Sequence, residues 1–128
     1  MIPEHLYQEQ LLEHYRYPRN KGVLEDPDIV TGTFNPSCGD SISFQAYVRD
    51  NGISTIKFEG KGCVISQATA SLITQEFAGK SLEFIEQYTT QNLLELIGIT
   101  LGPTRLRCAL LSLEAMHEGV ATFKKTRT

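Results

Sequence analysis

The sequence predicts a mixed α and β domain in which helices pack on a small antiparallel sheet. Two observations carry this prediction. A stretch of period-2 alternation leads into a hairpin turn, and the segments before and after the hairpin have apolar residues at helical spacing. The chain has 128 residues, of which 41% are hydrophobic and 21% charged. Such a length and usage are typical of one globular core, so we predict a single domain over residues 1–128.

The first helix is predicted from Pro3 to about Tyr17. Apolar and aromatic side chains recur there at helical spacing, and Pro3 fits the first turn of a helix. Pro18 ends the pattern, because a proline disfavours helical backbone at the residue before it. Two turn-rich connectors, residues 16–22 and 25–28, then lead to the strands.

Three extended segments are expected next. Ile29 to Phe34 predicts a first strand. Ser41 to Val48 predicts a second, half-buried strand, because polar and apolar residues alternate in it up to Tyr47. Asp50-Asn51-Gly52 is a strong hairpin signal, because Asn-Gly tolerates the positive φ of tight turns. Ile53 to Phe58 returns as the partner strand. Helices must cover one face of such a small sheet for it to be stable.

Helical patterns fill the second half of the chain. A helix is predicted from Cys63 or Val64 to Phe77, with Gly79 as its stop. Its apolar face is expected at Ile65, Ala68 and Leu72. Two shorter helices and a long one complete the prediction: Ser81 caps the first, which runs to about Tyr88, residues 91–97 form the second, and Gly102-Pro103 opens the long one.

The last helix is expected to carry an apolar stripe, and its basic end, residues 124–128, is expected to fray into solvent. The stripe consists of Leu106, Ala109, Leu110, Leu113 and Val120.

Charge and hydropathy exclude several kinds of partner. The formal net charge of -3 gives no electrostatic reason to expect nucleic acid, which selects basic surfaces. No apolar run approaches the roughly 20 residues that cross a bilayer, and the first five residues lack signal-peptide features. We therefore expect a cytoplasmic protein with no membrane or nucleic-acid partner. In that reducing compartment, an odd number of cysteines argues against a disulfide framework.

The strongest chemical signal is a set of three cysteines and one aspartate. Cys38 and Asp40 lie two residues apart in a turn, Cys63 follows two glycines at the start of a helix, and Cys108 follows Arg107. Thiolates are soft donors that bind zinc and iron, and zinc sites usually have four ligands. Asp40 is the nearest fourth candidate, since side chains at i and i+2 can point the same way. We therefore predict that these four residues converge on one metal or cluster site.

The spacing of the cysteines is by itself a weak signal, and each cysteine could instead be a small buried hydrophobe. Two features favour chemistry. Cys63 and Cys108 fall off the apolar faces predicted for their helices. Both also lie near helix starts and close to basic residues, where a thiolate is favoured. The three histidines, His5, His14 and His117, have no adjacent cysteine and are assigned surface or packing roles.

With these residues in place, the chain resembles the U-type iron-sulfur cluster assembly scaffolds, the family of IscU, SufU and the N-terminal domain of NifU. The resemblance covers about Leu6 to Gly119 and is carried by four motifs. They are His14-Tyr15 with Pro18, Asn20 and Gly22; Asn35-Pro36-Ser37-Cys38-Gly39-Asp40; Gly62-Cys63 before a helix rich in small residues; and Arg105-Leu106-Arg107-Cys108.

The resemblance implies an α+β fold of the SufE/NifU-like kind: a three-stranded antiparallel sheet with about five helices packed against it. It also implies a scaffold or sulfur acceptor rather than an enzyme. A cysteine desulfurase of the IscS or SufS type would deliver sulfur, and a transient [2Fe-2S] cluster would pass to apo iron-sulfur acceptor proteins. Cys38, Cys63 and Cys108 would be cluster, zinc or iron ligands, Asp40 a zinc ligand or labilising group, and Cys108 the sulfur acceptor. The oligomeric state is expected to be a monomer or weak homo-oligomer.

Three departures from the family patterns bear on the pathway. IscU-type members have a histidine immediately before the third cysteine, whereas this chain has Arg107 there. A basic residue at this position is the SufU-type pattern. Residues 101–105 read Leu-Gly-Pro-Thr-Arg in place of the segment recognised by a heat-shock chaperone, so chaperone recognition is not expected. The 44 residues between Cys63 and Cys108 leave little room for the insertion of SufU-type members. The chain is intermediate between the two types.

Three hypotheses remain open from the sequence. The first is a cluster scaffold, or a zinc-bound SufU-like sulfur-transfer protein. The second is an interaction module in which zinc only stabilises the fold. The third is a thiol enzyme with a nucleophilic cysteine and a histidine base, which needs the fold to bring His14 near Cys108.

Overall fold

The computed structural model describes residues 3–35 and 39–126. These parts contain three strands and five helices, and they confirm the predicted α+β fold. In chain order the elements are α1 (Glu4–Arg16), β1 (Ile29–Asn35), β2 (Asp40–Arg49), β3 (Gly52–Lys61), α2 (Val64–Phe77), α3 (Leu82–Glu86), α4 (Thr90–Ile97) and α5 (Pro103–Thr126).

The sheet has the order β1-β2-β3, and both neighbouring pairs are antiparallel. The predicted hairpin joins β2 to β3, but glycine does not carry its positive φ. Asp50 and Asn51 have φ of 53° and 64°, and Gly52 already belongs to β3. Asp and Asn tolerate left-handed backbone better than other non-glycine residues, which explains this shift by one position. Gly52 is needed for space, since a Cβ there would lie 2.9 Å from the Lys80 carbonyl oxygen.

One face of the sheet forms the core with α2 and α5. Buried and half-buried side chains alternate along β2, as the period-2 pattern predicts. The buried apolar residues of the three strands are Ile29, Ile42, Phe44, Ala46, Ile53, Ile56 and Phe58. Asp40 shares this inward face because it lies two residues before Ile42. The alternation of β2 therefore directs a carboxylate toward the helices.

The helix α2 is buried along most of its circumference, from Ile65 to Thr74. Ile65, Ala68 and Leu72 are buried as predicted, but the buried surface is not confined to their face, because α2 lies in the centre of the helical layer, against α1, α5 and the sheet. Small side chains allow this close approach on every side. The position of Cys63 opposite that face therefore gave no information about its exposure.

The two edges of the sheet differ. The backbone around Asn20 pairs with β3: Gly22 N–H donates to the Phe58 carbonyl at 2.9 Å, and Phe58 N–H donates to the Asn20 carbonyl at 3.0 Å. Ile53 at the other end of β3 donates to the Lys80 carbonyl at 2.9 Å. On the opposite side β1 has β2 as its only strand neighbour in the described parts of the chain.

A buried histidine holds α1 and its connector on α2. His14 Nδ1 lies 2.7 Å from Ser71 Oγ, which also accepts the Arg19 N–H at 2.8 Å. Because Ser71 accepts from Arg19, its own hydroxyl proton can donate to a neutral His14. Burial and, to a lesser extent, Arg19 lower the pKa of His14, while Glu13 opposes the shift. The motif from His14 to Gly22 therefore has a packing role: it holds α1 and the following connector against α2.

The helix α5 corrects two expectations. Its buried residues are Cys108, Ala109, Leu111, Ser112, Leu113, Ala115, Met116, Gly119 and Val120, whereas Leu106 and Leu110 are half-buried. The buried surface is thus wider than the predicted stripe and includes Cys108. The helix also continues to Thr126, and Lys124 pairs with Glu86, so the predicted fraying is wrong for residues 124–126. Residues 127 and 128 lie outside the described residues. None of the helices in the described ranges has the length and apolar character needed to cross a membrane.

Candidate metal centre

Asp40 is the first residue of β2 and is almost fully buried, with 1% of its surface exposed. Its Oδ1 accepts the backbone N–H of Cys63 at 2.9 Å. Gly62, whose φ is 137°, directly follows the end of β3, where Lys61 pairs with Ser41. A Cβ on Gly62 would lie 2.0 Å from Asp40 Oδ1, so glycine makes room for the carboxylate. The turn before the second cysteine thus positions Asp40.

Cys63 is the residue that caps α2. Its Sγ accepts the backbone N–H of Ser66 at 3.4 Å and lies 3.2 Å from Asp40 Oδ2. The thiol is exposed because it lies at the end of the helix.

Cys108 lies on the buried side of α5, and only 4% of its surface is exposed. Burial raises the pKa of its thiol, and hydrogen bonds with Asp40 and Cys63 raise it further. Arg105 and Arg107 are exposed. The expected exposed thiolate stabilised by these arginines is therefore wrong for the metal-free protein, because α5 turns Cys108 inward and the arginines outward.

The structure brings three of the four predicted site residues together. One ligand atom each from Asp40, Cys63 and Cys108 lies within 4.8 Å of the other two. Around a tetrahedral zinc with Zn–S bonds of about 2.3 Å, sulfurs are roughly 3.8 Å apart, so a small contraction would suffice. Two thiols and a carboxylate are an ordinary donor set for zinc or ferrous iron. Cys38 lies outside the described residues, and its role as the fourth ligand stays a prediction.

Sequence reasoning missed the residues that support the site. Ser66 Oγ donates to the Cys63 carbonyl at 3.1 Å, and Gln67 Nε2 donates to Ser66 Oγ at 3.2 Å. Gln67 Oε1 is buried with no hydrogen-bond partner among the described residues. The signal for Ser66 was its place three residues after a cap, where the backbone N–H meets the capping side chain.

An apolar groove of about 480 Å³ opens beside the exposed sulfur of Cys63. Its apolar lining comes from α1, from the start of α2 and from the segment before α5, and Arg105 adds a charge. The lining residues are Gln8, Leu11, Leu12, Cys63, Val64, Ile65, Ile99 and Arg105. The groove places an apolar surface next to the side chain of Cys63.

The histidines take no part in the described cluster of ligand atoms. His14 is bonded to Ser71, and His117 Nε2 lies 2.9 Å from the Ile85 carbonyl oxygen. The thiol-enzyme hypothesis, which needs His14 as a base beside Cys108, gains no support from these contacts.

Comparison with known proteins assigns this architecture to a class. Residues 6–128 match the family described as the NifU-like N terminal domain, and the chain belongs to that family. It is 36% identical to the zinc-dependent sulfurtransferase SufU of Bacillus subtilis, over 91% of this chain and 90% of that protein. It is also 36% identical to the iron-sulfur cluster assembly scaffold protein IscU of Haemophilus influenzae, over 92% of this chain and 95% of that protein.

Solved structures show the same fold at lower identity. FiSufU of the thermophile Fervidobacterium islandicum superposes with a TM-score of 0.79 at 21% identity, covering 93% of this chain and 99% of that one. The N-terminal part of a NifU-like protein from Brucella abortus has a TM-score of 0.77 at 17% identity, covering 95% and 96%. Both confirm the fold.

Proposed function

We propose that this protein accepts sulfur at a zinc-binding thiol site and passes it into iron-sulfur cluster assembly. The observation that carries the proposal is the convergence of Asp40, Cys63 and Cys108. The proposed ligand set is these three residues with Cys38. The sulfur donor is a cysteine desulfurase, and the protein acts as an acceptor and carrier.

The geometry supports a single metal ion best. All three described ligand atoms lie within 4.8 Å of one another, so they can bind one ion together. A two-iron cluster needs its four ligands divided between two iron atoms. The identity to a relative named as a zinc-dependent sulfurtransferase supports the same assignment.

The residues of the site define the chemistry of transfer. A bound zinc ion would keep its sulfur ligands deprotonated, since metal binding releases their protons. We assign Cys108 as the acceptor. Its thiolate attacks the outer sulfur of the donor's cysteine persulfide; a new S–S bond forms at Cys108, the donor's S–S bond breaks, and the donor cysteine leaves as a thiolate. Because Cys108 is buried, the start of α5 or the turn at Gly62 and Cys63 must move to admit the donor.

A second candidate is the assembly of a transient [2Fe-2S] cluster on the same four residues. The identity to IscU proteins supports it. A carboxylate is a harder and weaker donor to a cluster than a thiolate, so Asp40 would leave one position exchangeable. Apo iron-sulfur proteins would then be the acceptors.

Metal and sulfur analysis distinguishes the candidates. The protein is purified without oxygen, and zinc, iron and acid-labile sulfide are measured before and after incubation with a cysteine desulfurase, cysteine and ferrous iron. Persistent zinc and a persulfide on Cys108, located by alkylation and mass spectrometry, are expected. Equal iron and sulfide with visible charge-transfer absorption would establish the scaffold instead.

Variants of the site test the assignment of residues. Cys108→Ser is expected to abolish loading, and unchanged loading and metal content in this variant would overturn the assignment. Asp40→Asn is expected to weaken zinc binding, whereas Asp50→Asn makes the same chemical change in the exposed hairpin turn and should leave it unchanged. If zinc removal unfolds the protein and no variant affects loading, the metal has a structural role.

A further inference from the structure

The edge strand β1 lacks the features that usually prevent strand addition. Natural edge strands are protected by charges, prolines, bulges or covering loops. From Ile29 to Asn35 the strand contains no charged residue and no proline, and its pairing with β2 runs without a register shift. Outside that pairing, no backbone hydrogen bond of β1 with another described segment is found, whereas the outer edge of β3 is paired at both ends.

Two large apolar side chains of β1 are exposed. Val30 is 68% exposed and Phe34 is 62% exposed. They lie four residues apart, so they share the face of the strand opposite to the face that carries Thr31 and Thr33. Cross-strand apolar pairs are a main source of sheet stability, and these two side chains have room for such partners on the free side.

The helix α5 lies beside this edge of the sheet and is bonded to it. Thr31 Oγ1 donates to the Ala115 carbonyl at 3.0 Å, and Thr33 Oγ1 donates to the Leu111 carbonyl at 3.1 Å. A groove of about 560 Å³ lies between the end of β1 and the outer side of α5. Its lining includes Phe34, Leu106, Arg107, Leu110 and Glu114. The groove is apolar in the middle and has one charge of each sign.

A single extended segment suits the edge better than a second copy of this chain does. Pairing β1 with β1 of another copy would bring both α5 helices onto the same face of the joined sheet, because α5 packs against β1 and β2. The α5 helix of the second copy would then lie over the added strand, on the side where the groove opens. A single extended segment leaves the groove for its own side chains.

We propose that the β1 edge and the α5 groove bind an extended segment of a partner protein by strand addition. The free N–H and C=O groups of β1 would supply backbone hydrogen bonds, and the groove would select the side chains. The outer face of the segment would carry apolar residues against Val30 and Phe34. Its face toward α5 would carry an apolar residue against Leu110.

The charges of the groove set the orientation of the segment. The threonine bonds show that α5 runs antiparallel to β1, so Arg107 lies toward the Asn35 end and Glu114 toward Thr31. These two charges are seven residues apart, about 10 Å along the helix, which corresponds to roughly three to four strand residues. An antiparallel segment would therefore have an acidic residue followed four positions later by a basic one.

The probe for this proposal is the capped peptide Thr-Glu-Val-Leu-Thr-Lys-Val, whose valines are four positions apart, as Phe34 and Val30 are, with a second peptide in which Glu and Lys are exchanged. Binding to the full chain is followed by amide NMR and hydrogen exchange. We expect slower exchange at alternate amides of β1 and weaker binding of the exchanged peptide. Glu114→Lys should weaken the first peptide by about threefold and abolish the preference between the two.

Val30→Lys is the main test of the strand edge, because a lysine there introduces the charge that natural edges carry. We expect about fivefold weaker binding. Val23→Lys is the matched control, since Val23 is 62% exposed and lies outside the sheet. Equal effects of both variants, or no change at β1 amides, would overturn the proposal. Protection of β1 that grows with protein concentration without peptide would establish self-pairing instead.

Discussion

Asp40 lies so close to Gly62 that any side chain at Gly62 would overlap it: a Cβ on Gly62 would lie 2.0 Å from Asp40 Oδ1 and 2.8 Å from Asp40 Cα. The second distance involves backbone, so a side-chain rotation could not relieve the contact. The absence of a side chain at Gly62 lets the carboxylate reach the Cys63 N–H. The geometry of the metal centre therefore depends on a residue that has no ligand atom.

Gly62→Ala should damage both the site and the fold. We expect zinc affinity to fall by about 10- to 100-fold, as for other groups that orient ligands. Competition with a chelating dye measures this. Gly79→Ala is the matched control: Gly79 also has a positive φ, 79°, but a Cβ there meets nothing within 4 Å. It should cost roughly 1–2 kcal/mol of stability from left-handed backbone and leave zinc binding intact. Equal zinc affinity in both variants would contradict the steric argument.

Cys63 should have two separable roles, as metal ligand and as cap of α2. Serine is a good cap but a poor soft ligand, so Cys63→Ser should lower zinc affinity and leave the metal-free protein about as stable. Cys63→Ala should lose zinc affinity and also about 1 kcal/mol of unfolding free energy. Urea unfolding in the presence of a chelator compares them. Equal stability of the two variants would show that the cap contributes nothing.

The stability of the metal-free protein should decrease in acid because of His14. Its pKa in the folded state lies below the ordinary 6.5, chiefly because of burial. Above pH 6.5 both folded and unfolded states are neutral at this residue. Below it the unfolded chain takes up the proton first, so unfolding free energy falls until the folded-state pKa is passed, by at most about 1.4 kcal/mol per pH unit.

His14→Asn should remove this part of the pH dependence, and His5→Asn, at an exposed position, should retain it. Urea unfolding between about pH 7.5 and 5.5 gives the slopes. Identical slopes for the natural protein and His14→Asn would exclude His14 as the source.

The aromatic cluster of Phe77, Phe84 and Tyr88 offers a test of the core. Phe77 is fully buried and meets Tyr88 edge-on, with ring centroids 5.1 Å apart, whereas Phe84 in the same cluster is 37% exposed. Phe77→Ala should cost about 3–5 kcal/mol, since it leaves a cavity. Phe84→Ala should cost about 1 kcal/mol. Chemical denaturation measures both losses of unfolding free energy. Similar losses would show that the buried Phe77 is packed no more tightly than the partly exposed Phe84.

Sequence patterns predicted those elements whose formation depends on residues close together in the chain. The alternation in β2, the hairpin at Asp50 and the cap at Ser81 depend on neighbouring residues, and all three are present. The pairing of Asn20 with Phe58 depends on residues far apart in the chain, and no local pattern contains it.

The sequence singled out residues of the candidate site but did not predict how deeply they are buried. Residue chemistry singled out Asp40, Cys63 and Cys108, which the fold brings together. The burial of Cys108 was missed because the apolar stripe of α5 was drawn through Leu106 and Leu110. A long helix with packed neighbours on several sides buries more than one stripe, and its sequence does not say which neighbours those are.

The burial of α2 on nearly all sides restricts how this sequence can diverge. A helix with a solvent face accepts many substitutions there, but residues 65–74 have no such face. Enlarging Ala68 or Ala70 would force apart neighbouring layers that are already in contact. The small residues that follow the second cysteine therefore record a packing constraint, and their tolerance to mutation should be as low as that of the metal ligands although they touch no metal.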